Sequence, residues 1–254
     1  MKTVILAGGR GTRLAEETNV VPKPMVTVGG RPILWHIMRH FATYGHNDFV
    51  VALGYKGYVI KEYFANQLLH ECDVQVDLKT GSVTYLSSSV VDWKVTLVDT
   101  GLDTMTGGRL LRLREMLSER FFMTYGDGLS DVNLPALLEH HRSSGALATV
   151  TAVQPPPRFG SLTVAEGMVA SFREKPADST DRINGGFFVV EPPVLDLLDG
   201  DDCTFESTPL AKLAEQGQLA AQDHPGFWMP MDTVRDRDEL NRLWSLGDAP
   251  WVRR

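Results

Sequence analysis

The chain has 254 residues and a formal net charge of −7, with 25 basic against 32 acidic side chains. That balance excludes a general nucleic-acid surface, which needs a basic stripe, and confines positive charge to wherever an anionic ligand sits. Two cysteines, Cys72 and Cys203, without Cys-x-x-Cys spacing exclude a disulfide framework and a cysteine metal site, and no apolar run reaches the roughly 18–20 residues of a membrane span.

A strand begins at once, where a signal peptide would stand. The expectation is a cytoplasmic protein with no membrane and no nucleic-acid partner. Residues 4–7, Val-Ile-Leu-Ala, are apolar throughout, as in a strand buried on both faces of a parallel sheet. They run into Gly8, Gly9, Arg10, Gly11, Thr12 and Arg13, and Lys23 lies ten residues further on. Glycine tolerates positive φ and lets backbone approach a ligand. A run of N–H groups in such a turn makes a concavity for an anion, and Arg13 and Lys23 add full positive charge. The pattern predicts a nucleoside-triphosphate site at the carboxyl end of the first strand. It is not a Walker sequence, because Thr12 and Arg13 follow Gly11. Nor is it G-x-G-x-x-G, which Leu14 breaks.

Pro32 opens a helix on which Ile33, Leu34, Ile37, Met38 and Phe41 recur at helical spacing. His36 and His40 lie near that stripe and read as structural. A second strand spans 49–53, and the turn 54–57 leads into a helix carrying Ile60, Tyr63 and Phe64. Residues 72–92 read as irregular strands with a Thr80-Gly81 turn. A strand at 95–98 is followed by a Thr- and Gly-rich loop over 102–109 and a helix over 110–117. A strand at 121–124 ends in the turn 125–128. Asn133 caps a helix presenting Leu134, Leu137 and Leu138. A long strand covers 146–153, and 162–164 faces 168–172 across Glu166-Gly167 as a hairpin. A strand at 187–190 precedes a helix over 209–215 that stops at Gly217. Thr233 with Asp236 suggests the cap of a last helix through Leu240, Leu243 and Trp244.

The early alternation of strand and helix predicts an α/β fold, a Rossmann-like mostly parallel sheet flanked by helices, with a small antiparallel subregion. Ligands on such sheets sit beyond the carboxyl ends of the strands. That rule puts the 8–13 turn, the 99–109 loop and the 125–128 turn on one rim.

Asp127 follows an apolar strand and stands between Gly126 and Gly128. A carboxylate facing a triphosphate is repelled unless a cation bridges them, and Mg2+ takes one or two carboxylates plus phosphate oxygens. Asp232 is the second candidate ligand. The plain alternatives are a turn former at Asp127 and a helix-cap residue at Asp232. With two carboxylates, one metal and two basic residues on a triphosphate, the natural reaction is in-line displacement at phosphorus, governed by positioning and charge. A phosphate monoester nucleophile is already anionic, so no general base is required. A second group comprises Glu174, Lys175, Asn184, Gly185 and Trp228. Lys175 suits an incoming phosphate, Glu174 and Asn184 suit sugar hydroxyls, Gly185 admits a ring, and Trp228 suits a sugar face.

Leu6-Ala7-Gly8-Gly9-Arg10-Gly11-Thr12-Arg13-Leu14 with Lys23-Pro24-Met25 resembles the opening motif of the sugar-1-phosphate nucleotidyltransferases. The likeness continues through 29–38, 54–58, 61–64, 93–101, 105–109, 124–128, 183–188 and 226–233, and so covers nearly the whole chain. The closest likeness is to the subtype that joins CTP and glucose 1-phosphate. The resemblance implies that Leu6, Ala7, Gly8, Gly9, Arg10, Gly11, Thr12, Arg13, Lys23 and Gly126 line the nucleotide. Thr104 and Arg109 would stand on the cytidine side. Arg13, Lys23 and Asp127 would be catalytic, and Asp127 and Asp232 would hold Mg2+. Glu174, Lys175, Asn184, Gly185 and Trp228 would bind the sugar phosphate. It further implies one domain, with residues 1–130 on the nucleotide side and 131–254 on the sugar-phosphate side, and a homo-oligomer, a hexamer among the forms suggested. Met229 departs from the pattern, since a glutamine is expected between Trp228 and Pro230. The competing readings are the same chemistry with dTTP, UTP or another sugar 1-phosphate, a nucleotide-sugar glycosyltransferase, and a non-catalytic nucleotide-binding module.

Overall fold

The structure, a computed structural model, describes residues 1–86, 91–155, 161–165, 168–173 and 182–252. Eight strands form its main sheet: β1 (Thr3–Leu6), β2 (Asp48–Leu53), β3 (Lys94–Asp99), β4 (Phe121–Tyr125), β5 (Ala148–Val153), β6 (Ile183–Asn184), β7 (Phe188–Val190) and β8 (Leu219–His224). β1 lies between β2 and β4 and is parallel to both, and β3 extends the sheet in parallel beyond β2. β7 pairs antiparallel with β4 and β5, and β8 runs parallel to β5. The expected mostly parallel α/β sheet is present.

The apolar runs divide by alternation. Val4, Leu6, Val50 and Ala52 pack into one core, while Ile5, Phe49, Val51 and Leu53 pack into another. Side chains of successive strand residues point to opposite faces, so two cores sandwich the sheet. Each large side chain fully buried there contributes roughly 1.5–3 kcal/mol. Helix α1 (Ile33–Ala42) supplies Ile33, Leu34, Ile37, Met38 and Phe41 to one of them. Pro32 occupies its N-cap position in extended conformation, one residue earlier than the sequence predicts. His36 and His40 are buried, each with Nε2 donating to a backbone carbonyl, Val28 at 2.8 Å and Val132 at 2.9 Å. Their structural role stands.

Three departures from the sequence reading have identifiable causes. First, the loop expected over 102–109 ends early: helix α2 runs Thr106–Arg112, and the 110–117 helix gives way to a 3-10 turn at Arg114–Met116. Gly107 and Gly108 discourage helix by composition. Here they are tucked so close to 201–203 that a Cβ on Gly107 would lie 2.8 Å from the Cys203 carbonyl oxygen, and one on Gly108 2.6 Å from that of Asp201. The Met105 and Gly107 N–H groups donate to the Asp201 and Cys203 carbonyls, both at 2.8 Å, and start the helix without a side-chain cap. Second, residues 72–92 contain a regular hairpin, Val74–Asp77 against Ser82–Tyr85, standing apart from the main sheet. Third, Gly128–Ser130 pairs antiparallel with Trp228–Pro230, a ladder with no sequence signature.

The small antiparallel hairpin expected from the sequence is present: Ser161–Ala165 pairs with Met168–Arg173, with a register shift between Thr163 and Val164. The Glu166-Gly167 turn lies outside the described residues. Between β6 and β7 the ladder bulges. Ala148 and Val153 pair with Val190 and Ile183, so five residues of advance on β5 match seven on the other side. The surplus is taken up at Gly185, Gly186 and Phe187, where Gly186 has φ +75° and Phe187 φ +47°. A phenylalanine in the left-handed region is strained. Its ring is held by burial and by stacking on Phe41, with centroids 5.7 Å apart. Two helix caps read from sequence are present. Asn133 accepts from the Ala136 N–H at 3.1 Å, and Thr233 and Asp236 form a reciprocal capping box at the head of helix α3 (Val234–Ser245).

Candidate active site

Because β1, β2, β3 and β4 are parallel, their carboxyl ends share one edge of the sheet. A cleft of about 340 Å³ opens there, lined by Leu6, Ala7, Gly8, Gly9, Gly11, Thr12, Lys23, Pro24, Thr104, Met105, Thr106, Arg109, Tyr125, Gly126 and Asp127. The three rim segments expected from sequence therefore meet. Gly11 takes φ +63°. Gly9 has open space where a Cβ would stand. Arg10 is ion-paired with Asp103 at 2.7 Å, and both side chains are exposed. Such a pair is worth at most about 1 kcal/mol. Residue 13 lies on a 3-10 turn, Thr12–Leu14, and its side chain lies outside the described residues.

Arg109 sits deeper than a loop residue would. On α2 it is 4% exposed. Its Nη1 donates to the Leu53 carbonyl at 2.9 Å, the Thr100 hydroxyl at 2.7 Å and the Gly101 carbonyl at 2.7 Å. Its Nη2 donates to the Gly8 carbonyl at 3.1 Å. The guanidinium thus ties the glycine turn to the ends of β2 and β3. Burial is the main influence on it and lowers its pKa, against the attraction of Asp99. A Cβ on Gly8 would come within 2.2 Å of this guanidinium and would have to displace it from its bonds. Arg109 lines the cleft, with its hydrogen bonds spent on protein atoms that shape it.

Lys23 is the electrostatic centre. Its Nζ lies 2.6 Å from Asp127 Oδ2 and 2.7 Å from Asp232 Oδ1. Burial pulls its pKa down, but the two carboxylates more than offset this and hold it above the ordinary lysine value. Asp127 and Asp232 reach the same point because they flank the short ladder of Gly128–Ser130 and Trp228–Pro230. The Met231 N–H donates to the Asp127 carbonyl at 2.8 Å and closes that end. The Asp232 N–H donates to Asp236 Oδ2 at 3.0 Å, so the helix cap also anchors this carboxylate. Two carboxylate oxygens around one cationic position fit a divalent cation that completes its shell with phosphate oxygens and water. Among the described residues no group of three or more His, Cys, Asp or Glu side chains could hold a metal ion.

Of the residues expected to bind the sugar phosphate, Trp228 donates its Nε1–H to the Gly185 carbonyl at 2.7 Å. The Asn184 amide donates to the Tyr125 hydroxyl at 3.0 Å. Asn184, Gly185 and Trp228 therefore cluster at the β6–β7 bulge, joined to the cleft through Tyr125. Glu174 and Lys175 lie outside the described residues. Sequence reasoning missed Glu206, which accepts from the Tyr125 hydroxyl at 2.6 Å and the Thr106 hydroxyl at 2.5 Å. Nothing in its sequence neighbourhood marks it, since its partners are 81 and 100 residues away. No helix of the described residues is long and apolar enough to cross a membrane.

Comparison with known proteins gives the chain's family. The nucleotidyl transferase family matches residues 2–236. The glucose-1-phosphate cytidylyltransferase of Salmonella typhimurium is 54% identical over 253 residues, covering 99% of this chain and 98% of that protein. The probable glucose-1-phosphate cytidylyltransferase of Bacillus subtilis is 46% identical over 253 residues, 99% of each chain. Among solved structures, a putative glucose-1-phosphate thymidylyltransferase from Bacillus anthracis superposes with a TM-score of 0.71 at 18% identity, covering 100% of this chain and 97% of that one. A UDP-glucose pyrophosphorylase from Acinetobacter baumanii gives 0.70 at 19% identity, covering 97% and 93%. Those two likenesses are of fold.

Proposed function

The chain belongs to the nucleotidyl transferase family, and we propose that it transfers the cytidylyl group of CTP to α-D-glucose 1-phosphate, giving CDP-glucose and pyrophosphate. The observation that carries this reading is the convergence of Lys23, Asp127 and Asp232 beside the glycine turn. The choice of CTP and glucose 1-phosphate rests on the full-length likeness to the two cytidylyltransferases.

In this mechanism the glycine turn and Lys23 receive the triphosphate. Lys23 exchanges its carboxylate partners for phosphate oxygens and, together with Arg13, stabilises charge on the triphosphate as pyrophosphate leaves. Asp127 and Asp232 would hold Mg2+, which supplies neutralisation of the charge spread over attacking and leaving oxygens. The phosphate oxygen of the sugar attacks the α-phosphorus in line, so the protein's work is positioning and electrostatics. Arg109 fixes the glycine turn, and Thr104 stands in the wall facing the base. Glu174, Lys175, Asn184, Gly185 and Trp228 form the sugar-phosphate side. The whole chain works as one domain, divided near residue 130 between nucleotide and sugar phosphate, in a cytoplasmic homo-oligomer.

The test offers CTP, UTP, dTTP, ATP and GTP in turn with glucose 1-phosphate and Mg2+, and follows pyrophosphate. Release with CTP alone is the expected result. Release only with another nucleotide moves the specificity within the same chemistry. No release with any pair leaves a nucleotide-binding module and overturns the reading.

A further inference from the structure

A chain of hydrogen bonds runs from the nucleotide wall to the sugar-phosphate side, and donor rules fix its direction. The Gly186 N–H can only donate, and it donates to Asn184 Oδ1 at 2.8 Å. That sets the amide: Nδ2 must face the Tyr125 hydroxyl, 3.0 Å away. An amide nitrogen only donates, so the hydroxyl oxygen accepts there, and its own proton goes to Glu206 Oε1 at 2.6 Å. The other carboxylate oxygen is pinned by the Thr106 hydroxyl at 2.5 Å, which itself accepts from the Phe205 N–H at 2.9 Å. Phe205 is fully buried with its ring edge-on to Phe188, centroids 5.6 Å apart, and so anchors Glu206 from behind.

We infer that Glu206 is a positioning residue: through Tyr125 it orients the Asn184 side chain, so that this amide offers the sugar phosphate one N–H donor of fixed direction. Glu206 itself touches neither substrate. Without its carboxylate the Tyr125 hydroxyl hydrogen is free to rotate, so the oxygen no longer presents one fixed lone pair to the Asn184 amide. An unoriented donor binds more weakly because its rotamers must be frozen when the ligand arrives. The inference rests on the assignment of Asn184 to the sugar-phosphate side.

A double-mutant cycle tests it, with steady-state constants for both substrates and melting temperatures recorded throughout. Glu206→Ala should raise the KM for glucose 1-phosphate about tenfold, the loss of one oriented hydrogen bond, and leave that for CTP within about twofold. Tyr125→Phe, which keeps the ring and removes only the relay hydroxyl, should act on the same constant by a similar factor. In an Asn184→Ala background both substitutions should become nearly silent, because the group they orient is gone. A purely structural role predicts that their effects persist there in full, and that result overturns the proposal. So does an equal rise in both KM values. If Glu206→Ala does not fold, the Tyr125→Phe and Asn184→Ala pair decides alone. A wild-type enzyme that releases no pyrophosphate with CTP and glucose 1-phosphate overturns the functional reading, and this inference with it. Wild-type turnover with additive variants overturns this inference alone.

Discussion

Asp127 and Asp232, flanking the same end of one three-residue ladder, grip the same ammonium group at 2.6 and 2.7 Å from Lys23 Nζ. In the proposed mechanism the arrangement gives the lysine two incompatible tasks. While it neutralises the carboxylates it withholds its charge from a phosphate, and it also stands where a bound cation would.

Lys23→Ala therefore has a two-part signature. Turnover should fall by orders of magnitude. Stability should fall by about 1–3 kcal/mol at neutral pH, since two partly buried carboxylates lose their counter-charge. Adding Mg2+ should raise the melting temperature of the variant more than that of the wild type, because the cation then has no tethered competitor. Calorimetric melts with and without the metal check this; an equal response in both proteins would show that Lys23 does not compete for the site. The wild type should also carry an alkaline dependence. The Lys23 pKa is raised in the folded state, so its contribution is fully present below the unfolded value near 10.5 and is lost as pH rises through the folded value. Lys23→Ala should flatten that limb.

Arg109→Lys should show that charge alone does not suffice. A lysine has three donors on a flexible stem and cannot span the carbonyls of Gly8, Leu53 and Gly101 as a planar guanidinium does. We expect a loss of about 2–4 kcal/mol, from buried carbonyls left unsatisfied, and a raised KM for CTP with less change for glucose 1-phosphate. Chemical denaturation and the two KM values provide the check. Unchanged CTP affinity would separate the glycine turn from Arg109.

His36 sets an acid limit. Burial, against its bond to Val28, lowers its pKa to about 4 from the ordinary 6.5. The unfolded chain thus takes up a proton as pH falls through 6.5, while the folded protein resists until about 4. Stability should decline across that window by up to about 3 kcal/mol and level off below it. His36→Gln should remove that share of the slope, whatever its effect at neutral pH. Denaturation midpoints between pH 7 and 4 measure it. An unchanged slope would mean that His36 takes up its proton equally in the folded and unfolded chain.

Much of the architecture is a local matter, and local matters can be read from sequence. The apolar runs of β1, β2 and β4 and the helical stripe of α1 mark buried elements by spacing alone. Asn133 and the Thr233–Asp236 box mark helix starts, because the capping partners lie three residues away. The parallel order of the strands then puts the glycine turn, Thr104 and Asp127 on one rim without any knowledge of side-chain contacts. What the sequence could not specify was which distant groups share a hydrogen bond. The Lys23 bridge joins residues 104 and 209 positions apart, Arg109 reaches 101 positions back to Gly8, and Glu206 joins Tyr125 to Thr106. A hydrogen bond depends on a few tenths of an ångström and a direction. Spacing along a chain carries neither, so only the folded packing of these elements determined where the charges meet.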